Sequence, residues 1–572
     1  MEINDARAFL FDRLIEAFHK DTIDSHRVRC HNALTLLEES VEVISGWANN
    51  NVKIFETVKL CVEETIDAID LDTCLQYNCC SKQILINSLR DYAKKDDPVL
   101  ANQLLYILAE VIRENVSAYL HNLFDAISSI VLSDSLEREE MAVLIDLDRL
   151  ITSFATQLIH EGYSKIYLYK FFSRVKEDSK HSYHAKIRYI KNILCSGVGL
   201  KTTTIIKVPI SNVSKWICPI LHLEEAIPEG LLAKEIMDAN VGFVTPSISS
   251  RYYIHSSNFV KDSVSALKET REQLSREMDI IHLGDSSISI NIPNTALVVT
   301  TNRNGSFHSE MTTEYILDGG YSASFDDVTK LIENVNKIQR NLHVSDDLKE
   351  RLDSALRHLR IGNIQDELEQ RFINYWIALE FIFASPEARE STFTRLKTNL
   401  MNLLSSCYIK RNIVDLNKRL IKGGEIKKDQ QIWTYGEKEL NDLISKEENC
   451  LMRYRIRKTK ALILDKNKRK GLFSIHESNL NYHLARLYRL RNELIHEAAI
   501  KQDIESITSN LRYYLVFLLN QIIRFCSSNS DEEERDITLS DFFCYYELYK
   551  KRISEDYDLG IIMNVPYGKS LI

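Results

Sequence analysis

The sequence predicts a mainly α-helical protein with a small strand-containing module in its middle. Only 17 Gly and 8 Pro occur among 572 residues, and this scarcity argues against a turn-rich all-β fold and favours long helices. Before residue 195 and after residue 325, apolar residues recur three and four positions apart, as one face of a helix requires. Between residues 200 and 310 the chain is instead rich in short β-branched stretches.

These patterns divide the chain into four predicted segments. Residues 1–198 form a helical domain, whose clearest helices read AFLFDRLIEAFHK, ALTLLEESVEVISGWA and VLANQLLYILAEVIRENVSAYLHNLFDAISSIVL. Residues 199–320 form a mixed α/β module, with one strand in TTTIIKVPI and two around the turn of SISINIPNTALVVTTN. Residues 321–529 form a second helical domain, and residues 530–572 form an acidic linker, SDEEERD, with a short helical tail.

Composition excludes several classes of protein. The formal net charge is −9, so any nucleic-acid binding must come from a local patch rather than from the whole molecule. The start, MEINDARAFL, lacks the basic and apolar regions of a signal peptide, and no run reaches the roughly 18 apolar residues of a membrane helix. The cysteines have no regular spacing, so we expect reduced thiols in a cytoplasmic protein without membrane contact. Whether Cys74, Cys79 and Cys80 have a role stays open.

The sequence does not match several familiar catalytic and ligand-binding motifs. In GVGLKTTT, residues 197–204, the residue before Lys201 is Leu rather than the Gly of a phosphate-binding loop. No HExxH, GxSxG or GxGxxG pattern occurs. His181 and His184 could bind a metal, but such a pair is more often part of an ordinary surface. We therefore expect neither a metal site nor a cofactor.

The stretch LMRYRIRKTKALILDKNKRK, residues 451–470, is strongly basic: nine of its twenty residues are Lys or Arg, and Asp465 is the one acid. Such a run is usually a solvated helix face. It precedes a candidate catalytic helix, however, and dense cations bind nucleic-acid backbones by releasing counterions. Both interpretations stay open. With Arg489 from that helix, the candidate RNA-binding residues are Arg453, Arg455, Arg457, Lys458, Lys460, Lys468, Arg469 and Lys470.

The stretch RLRNELIHEA, residues 489–498, lies in a predicted amphipathic helix with about 100° between residues. The apolar stripe of this helix contains Leu484, Leu487, Leu490, Leu494 and Ala498. The opposite side contains Ala485, Arg489, Asn492 and His496. Arg491 lies at the flank of the stripe. We therefore expect His496 to point away from the core, where it is either exposed and idle or covered by another surface that completes a site.

The residues on this helix fit the chemistry of RNA cleavage. RNA carries its own nucleophile, the 2′-OH, and histidine can remove that proton or protonate the leaving oxygen near neutral pH. The guanidinium of Arg491 can stabilise the charge that grows on the phosphate. Asn492, one turn before His496, can orient the ring. Two facing copies of the helix would supply a second histidine. Spacing alone, however, favours an idle histidine.

Two segments together resemble a known family. RLRNELIHEA resembles the Arg-polar-x-x-x-His signature of HEPN-domain ribonucleases, with Asn492 as the polar residue. Further upstream, QRFINYWIALEFIFASPE resembles the aromatic-rich early helix of the Apea-like HEPN branch, here with Trp376, Ala378, Leu379 and Glu380. The resemblance covers residues 345–527, and the residues before 320 match no family that we can name.

The resemblance implies an up-and-down helical bundle in residues 321–529 that dimerises through the motif helix. It implies cleavage of RNA without a metal, with catalytic Arg491 and His496 and supporting Asn492. Glu380 would be an accessory residue, or simply a polar residue at a helix edge. Proteins of this kind commonly serve as toxins or in bacterial defence against phage. We therefore expect a regulated, toxin-like endoribonuclease that acts on RNA in abortive infection, with an N-terminal region that senses a phage or cellular trigger.

Two alternatives stay open. The chain could be a catalytically inactive HEPN-type nucleic-acid-binding or scaffold protein. It could also be an unrelated helical interaction protein in which His496 is idle. The RNA substrate, the trigger and any oligomer beyond a dimer do not follow from the sequence.

Overall fold

The structure, a computed structural model, describes residues 3–566 except 96, 134–138, 198, 211–214, 285–289, 302–306, 315–316, 318–324, 385–389, 497–503 and 529–535. The chain forms two compact units. The first contains Met1–Arg13, Lys20–Ser153 and Leu317–Ile572, and the second contains Leu14–His19 and Phe154–Ile316.

Helices account for most of the described chain. They are α1 (Ile3–Phe18), α2 (Ala33–Ala48), α3 (Phe55–Leu71), α4 (Lys82–Lys94), α5 (Pro98–Asn115), α6 (Tyr119–Val131), α7 (Glu140–His160), α8 (Lys165–Glu177), α9 (Tyr183–Leu194), α10 (Lys234–Ala239), α11 (Val241–Val244), α12 (Ser263–Gly284), α13 (Phe325–Arg340), α14 (Asp346–Ile364), α15 (Leu368–Phe383), α16 (Thr392–Gly423), α17 (Glu437–Lys446), α18 (Cys450–Leu464), α19 (Lys466–His496), α20 (Ile504–Ser528), α21 (Leu539–Asp556) and α22 (Leu559–Asn564). The strands are β1 (Leu200–Pro209), β2 (Ser250–Val260), β3 (Thr295–Thr301) and β4 (Phe307–Thr313). The prediction of a mainly α fold with a small strand-containing middle module is confirmed.

Local sequence explains where the helices that carry the candidate site begin and end. Asn32 caps α2, since its side chain accepts from the backbone N–H of Thr35 and the Thr35 hydroxyl accepts from the Asn32 N–H. Ser391 caps α16 in the simpler way, by accepting from the backbone of Thr394. Gly424 ends α16 with a φ of 88°, a left-handed conformation that glycine adopts without steric cost.

The second unit is built around an antiparallel sheet of strand order β2-β1-β3-β4. Successive residues of β1 point to opposite faces, as the strand period of two requires. Ile206 and Val208 belong to the same apolar cluster as Leu267 of α12. Ile205 belongs to the cluster on the other face with Tyr252 of β2. The sheet thus has apolar packing on both faces.

One predicted strand does not form in the part of it that the structure describes. The segment after the turn of SISINIPNTALVVTTN forms β3, but residues 290–293 before the turn form no strand. The first three residues of that prediction lie outside the described residues. Pro293 has no N–H to donate to a ladder, and Ile290 and Ile292 instead pack against the cluster that contains α12. Apolar alternation over this segment therefore reflects core packing and not strand pairing.

The first unit brings N-terminal helices onto the C-terminal helices. In α19, Leu484 and Leu487 are buried on one side of the helix. Ala485 lies between them in sequence and forms an apolar cluster with Tyr482 of the same helix and Leu60 of α3. α19 is therefore packed on two sides within its own unit. Helices α8 and α9, which the predicted segment 1–198 includes, fall in the unit of the sheet. Most of the predicted acidic linker lies outside the described residues.

Over the part of the chain that the structure describes, none of the helices combines the length and the apolar character needed to cross a lipid bilayer.

Candidate functional site

Two helices that are far apart in sequence meet at the predicted site. On α15, the indole N–H of Trp376 donates to Glu380 Oε1 at 2.7 Å, one helical turn away. On α19, Arg491 Nη2 donates to the same oxygen at 3.3 Å, although 111 residues separate the two positions. Tyr488, one turn before Asn492, lies 6.2 Å from Trp376 between ring centroids. The fold therefore joins the two segments that carry the sequence resemblance.

Arg491 is held from two directions. Besides the bond to Glu380, its Nη1 donates to Asn492 Oδ1 at 3.1 Å. The Arg491 side chain is 23% exposed and that of Glu380 is 35% exposed, so the pair borders solvent. Arg491 Nε is buried and has no hydrogen-bond partner among the residues that the structure describes. The guanidinium is thus oriented by neighbours and still reachable at one edge, as a group that binds a phosphate requires.

His496 ends α19, one turn beyond Asn492. The side chain of His496 lies outside the described residues, so the predicted outward position of its ring stays a prediction. Of the three residues with predicted catalytic or supporting roles, the structure describes the side chains of Arg491 and Asn492 and brings them into contact.

Sequence reasoning missed an aromatic stack that supports this end of α19. Phe393, in the first turn of α16, stacks on Tyr488 with ring centroids 4.1 Å apart. Tyr488 is also tilted against Trp376 of α15. One signal was available in the sequence, because Tyr488 stands four residues before Asn492 and so lies on the same helix face. Nothing local to Phe393 indicates this contact.

The predicted outward face of α19 is wrong at two positions. Leu484, Leu487, Leu490 and Leu494 are buried as predicted, and Ala498 lies outside the described residues. Ala485 and Arg489, expected on the open side, are also buried, with exposures of 0% and 5%. The cause is the packing of α2 and α3 on that side of α19. A helical wheel reads one helix alone and cannot detect a second surface that covers its polar face.

A buried ion-pair cluster holds α2 and α3 to α19. Arg486 Nη2 donates to Glu39 Oε2 at 2.7 Å and to Glu64 Oε2 at 2.5 Å. Arg489 donates to Glu39 Oε1 at 2.6 Å and to the Thr57 carbonyl at 2.7 Å. Burial opposes ionisation of Glu39, but Arg486 and the other nearby cations outweigh it and lower the pKa of this carboxyl well below its usual range. Arg489 is therefore engaged within the chain, and its buried position gives no support to the predicted contact with RNA.

The basic run of α18 is largely used inside the chain. Arg453 and Arg457 form ion pairs with Glu140 of α7, at 3.8 and 2.7 Å, and Arg453 also pairs with Asp5. Lys460 pairs with Glu437 at 3.0 Å. These three cations neutralise acids of neighbouring helices and are therefore engaged within the chain, whereas the sequence left open whether the run binds RNA.

A second carboxylate, the largely buried Asp148 of α7, pairs with further cations of α18. It accepts from Tyr454 at 2.9 Å and from Arg13 at 2.7 Å, and Lys458 lies 3.5 Å away. Burial would raise the pKa of Asp148, but Arg13 and the nearby cations of α18 lower it below the usual carboxyl range. The Arg455 guanidinium lies 5.8 Å from the ring centre of Tyr454. The cations of α18 thus contact acids and an aromatic ring of the same chain, which explains the density of basic residues in this segment without RNA.

The end of the basic run lies far from the candidate site. Lys468 and Lys470 are exposed, whereas Arg469 is buried and donates to the carbonyls of Leu462 and Tyr557. All three stand near the start of α19, and Arg491 stands near its end. With 1.5 Å of rise per residue, the helix separates them by about 30 Å. The exposed lysines could contact only a distant part of an RNA that is bound at Arg491.

No group of three or more His, Cys, Asp or Glu side chains within the described ranges could hold a metal ion. His181 pairs with Asp178 at 2.6 Å, and the eleven cysteines are all free thiols. The segment that resembles a phosphate-binding loop leads directly into β1.

Comparison of the chain with protein-family models, with curated proteins and with solved structures finds no match.

Glu380 is expected to act as a positioning residue for Arg491. In Glu380→Gln, the side chain can still accept from Trp376 but no longer offers a negative charge to the guanidinium. If the site cleaves RNA, as the sequence resemblance implies, kcat should fall by about 10- to 100-fold, because a misplaced group loses transition-state contact. RNA affinity should rise by about two- to fivefold, since a partly exposed ion pair competes only weakly with phosphate.

Steady-state kinetics and filter binding measure the two effects separately. Glu369→Gln, three turns earlier on α15, is the charge-matched control and should change neither quantity. A merely structural Glu380 would instead lower the thermal midpoint without this split between kcat and affinity.

Proposed function

We propose that the chain is a metal-independent endoribonuclease of HEPN type that acts as a regulated, toxin-like effector in bacterial defence against phage. The observation that carries this proposal is the bond between Arg491 of α19 and Glu380 of α15. It joins the two segments whose sequences resemble HEPN ribonucleases, across 111 residues of intervening chain. Chance resemblance of two short segments gives no reason for their side chains to meet.

In the proposed reaction, the 2′-oxygen of a ribose attacks the adjacent phosphorus and the bond to the 5′-oxygen breaks. His496 accepts the 2′-OH proton, and an imidazolium donates a proton to the departing 5′-oxygen. Arg491 stabilises the negative charge that builds up on the phosphate oxygens. Asn492 orients Arg491 through its side-chain carbonyl. The products are a 2′,3′-cyclic phosphate and a 5′-OH.

Each chain contributes a single histidine, His496, to the proposed site, and the reaction needs two proton transfers. We therefore propose that the active form is a homodimer. The packing of α2 and α3 on Ala485 and Arg489 restricts the partner surface to the end of α19. The last turn and a half, residues 491–496, then faces its symmetry mate. In this arrangement each copy contributes one Arg491 and one His496 to a shared groove.

Regulation is proposed to come from the N-terminal region, which would sense a phage or cellular trigger. Helices α2 and α3 are the part of that region in direct contact with the motif helix, through Glu39, Glu64 and Thr57. Any movement of these helices changes the surroundings of Arg489 and hence of Asn492, which follows it by three residues. Such a toxic activity would act in the cytoplasm, on RNA.

A catalytically inactive, HEPN-type RNA-binding or scaffold protein is the second candidate. One observation favours it. Arg491 is already engaged by Glu380 and Asn492, which leaves less of its guanidinium for a reacting phosphate. This candidate predicts salt-dependent RNA binding through exposed residues such as Lys468 and Lys470, without cleavage products.

The test is cleavage of end-labelled RNA oligonucleotides by the purified full chain in excess EDTA. We expect cleavage at the rate seen with Mg²⁺, fragments that end in a cyclic phosphate, and complete resistance of a substrate with 2′-deoxyribose at the cut position. Loss of activity in EDTA with recovery in Mg²⁺ would contradict the mechanism. Binding with no cleavage, over a range of protein concentrations that populates the dimer, would favour the second candidate.

A further inference from the structure

The last turn of α15 displays one phenylalanine at the surface. Ile382 and Phe383 are each 2% exposed, whereas Phe381 is 40% exposed. Phe381 directly follows Glu380, the residue that binds Arg491. Because consecutive Cα atoms are only about 3.8 Å apart, the exposed ring borders the candidate site.

A second aromatic ring holds Phe381 in position. His358 of α14 stacks on it, with ring centroids 5.4 Å apart and an angle of 27° between the ring planes. The His358 ring is fixed in turn, because its Nδ1 donates to Asn374 Oδ1 at 3.2 Å. Both rings are partly open to solvent. Phe381 and His358 therefore form an aromatic platform whose orientation is set by the fold.

Arginines from two further helices bind the end of α15. Arg351 of α14 donates to the Phe381 carbonyl at 3.0 Å. Arg395 of α16 donates to the Phe383 carbonyl at 2.9 Å. The last carbonyls of a helix lack partners within the helix, and guanidinium groups satisfy them here. Together with Arg491, three cations from three helices thus lie around the platform.

The charges of these arginines are only partly balanced. Arg491 pairs with Glu380, and Arg351 pairs with Asp347, whose side chain is 65% exposed. Arg395 donates to backbone carbonyls and to a hydroxyl, and no carboxylate pairs with it among the residues that the structure describes. Three guanidiniums therefore face two carboxylates, and partly exposed ion pairs compete only weakly with a phosphate. The surroundings of the platform favour a polyanion.

We propose that the platform binds an unpaired base of the RNA substrate, which stacks on the exposed part of Phe381 beside the phosphate at Arg491. This inference rests on the proposed function, because it takes RNA as the ligand of the site. Every base has a π-face that can stack on an aromatic ring, while the arginines attract the flanking phosphates. In a duplex, neighbouring bases cover those faces. The platform therefore selects single-stranded RNA and not a particular base.

The experiment places a single 2-aminopurine, a fluorescent base whose emission falls when it stacks, at successive positions of an oligouridine strand. The full chain with His496→Ala is used, so that the strand stays whole. We expect quenching on binding at one position. Adding Phe381→Leu should remove the quenching and weaken binding by at least about fivefold, the lower end for one lost base stack, because leucine keeps part of the apolar contact. Phe381→Tyr keeps the ring and should retain both.

Two controls separate stacking from a general loss of structure. Phe259→Leu removes another exposed phenylalanine, in β2 of the second unit, and should change neither quenching nor affinity. Binding of a fully paired RNA duplex should not depend on Phe381. In the chain with His496 intact, Phe381→Leu should raise KM by a similar factor and leave kcat nearly unchanged, since the stack is equal in the bound and transition states.

The outcomes distinguish this inference from the endoribonuclease proposal. Quenching at no position, or quenching that Phe381→Leu retains, overturns the platform, and RNA cleavage by the wild type then leaves the endoribonuclease proposal standing. Quenching that is lost with leucine and kept with tyrosine, in a protein whose wild type does not cleave RNA, supports the platform and overturns the endoribonuclease. A protein that neither binds nor cleaves RNA overturns both.

Discussion

Replacing Glu39 with alanine is expected to lower the free energy of unfolding of the first unit by about 3–5 kcal/mol, the usual cost of removing one partner from a buried ion pair. Glu39 faces both Arg486 and Arg489, whose side chains are 6% and 5% exposed. Without the carboxylate, two cations remain buried with only Glu64 to balance them. Urea denaturation followed by circular dichroism measures the change at the midpoint.

Glu63→Ala is the matched control for this prediction. Glu63 lies on α3, and its ion pair with Lys59 has both side chains 40% exposed and spans 3.9 Å. Such exposed pairs contribute at most about 1 kcal/mol. Equal destabilisation by the Glu39 and Glu63 variants would mean that the buried cluster does not hold α2 and α3 on α19.

The pH dependence of the Glu39 variant gives an independent check. Because the folded protein lowers the pKa of Glu39, its carboxylate stabilises the fold above the ordinary glutamate pKa of 4.5 and loses this effect as the pH falls through the lowered value. Burial raises the pKa of Glu64, which contributes with the opposite sign. We expect the stability difference between wild type and Glu39→Ala to shrink as the pH falls below about 4.5.

The helices and strands could be predicted from sequence where local signals agree. The predicted helix ALTLLEESVEVISGWA corresponds to α2, Ala33–Ala48, because its apolar period and the capping pair of Asn32 and Thr35 indicate the same start. The predicted strand TTTIIKVPI likewise forms most of β1. By contrast, Ile290 and Ile292 alternate with polar residues as in a strand, but they pack against the apolar cluster that contains α12. Alternation alone does not distinguish a strand from an irregular segment that packs on the core.

For the candidate site, the sequence predicts only the features that lie within a single helix. The apolar stripe of α19 follows from its own period, and the approach of Glu380 to Arg491 was implied only by the resemblance. The burial of Arg489 depends on Glu39, 450 residues earlier, and no pattern within a helix reports on such a partner. The platform of Phe381 and His358 has the same origin, since its two rings come from different helices.

His496→Ala is expected to lower the rate of RNA cleavage by about 10²- to 10⁴-fold, the usual contribution of a general acid or base. Arg491→Lys should lower it by about 10²- to 10³-fold, because an ammonium keeps the charge but cannot bind Glu380, Asn492 and a phosphate with one planar fork. Both variants should unfold at the wild-type temperature. His184→Ala, an exposed histidine on α9, is the control. Wild-type cleavage by either site variant would refute the assignment.

Mixing the wild-type protein with an excess of His496→Ala then tests how the site is assembled. If two copies share one groove and each supplies one imidazole, a mixed dimer contains a single His496 for two proton transfers. The excess of variant should therefore lower the rate of RNA cleavage per wild-type chain at saturating RNA, because most wild-type chains are then in mixed dimers. An equal excess of His184→Ala is the control and should not inhibit. If each chain instead works alone, His496→Ala leaves the wild-type rate unchanged, and the shared groove is refuted.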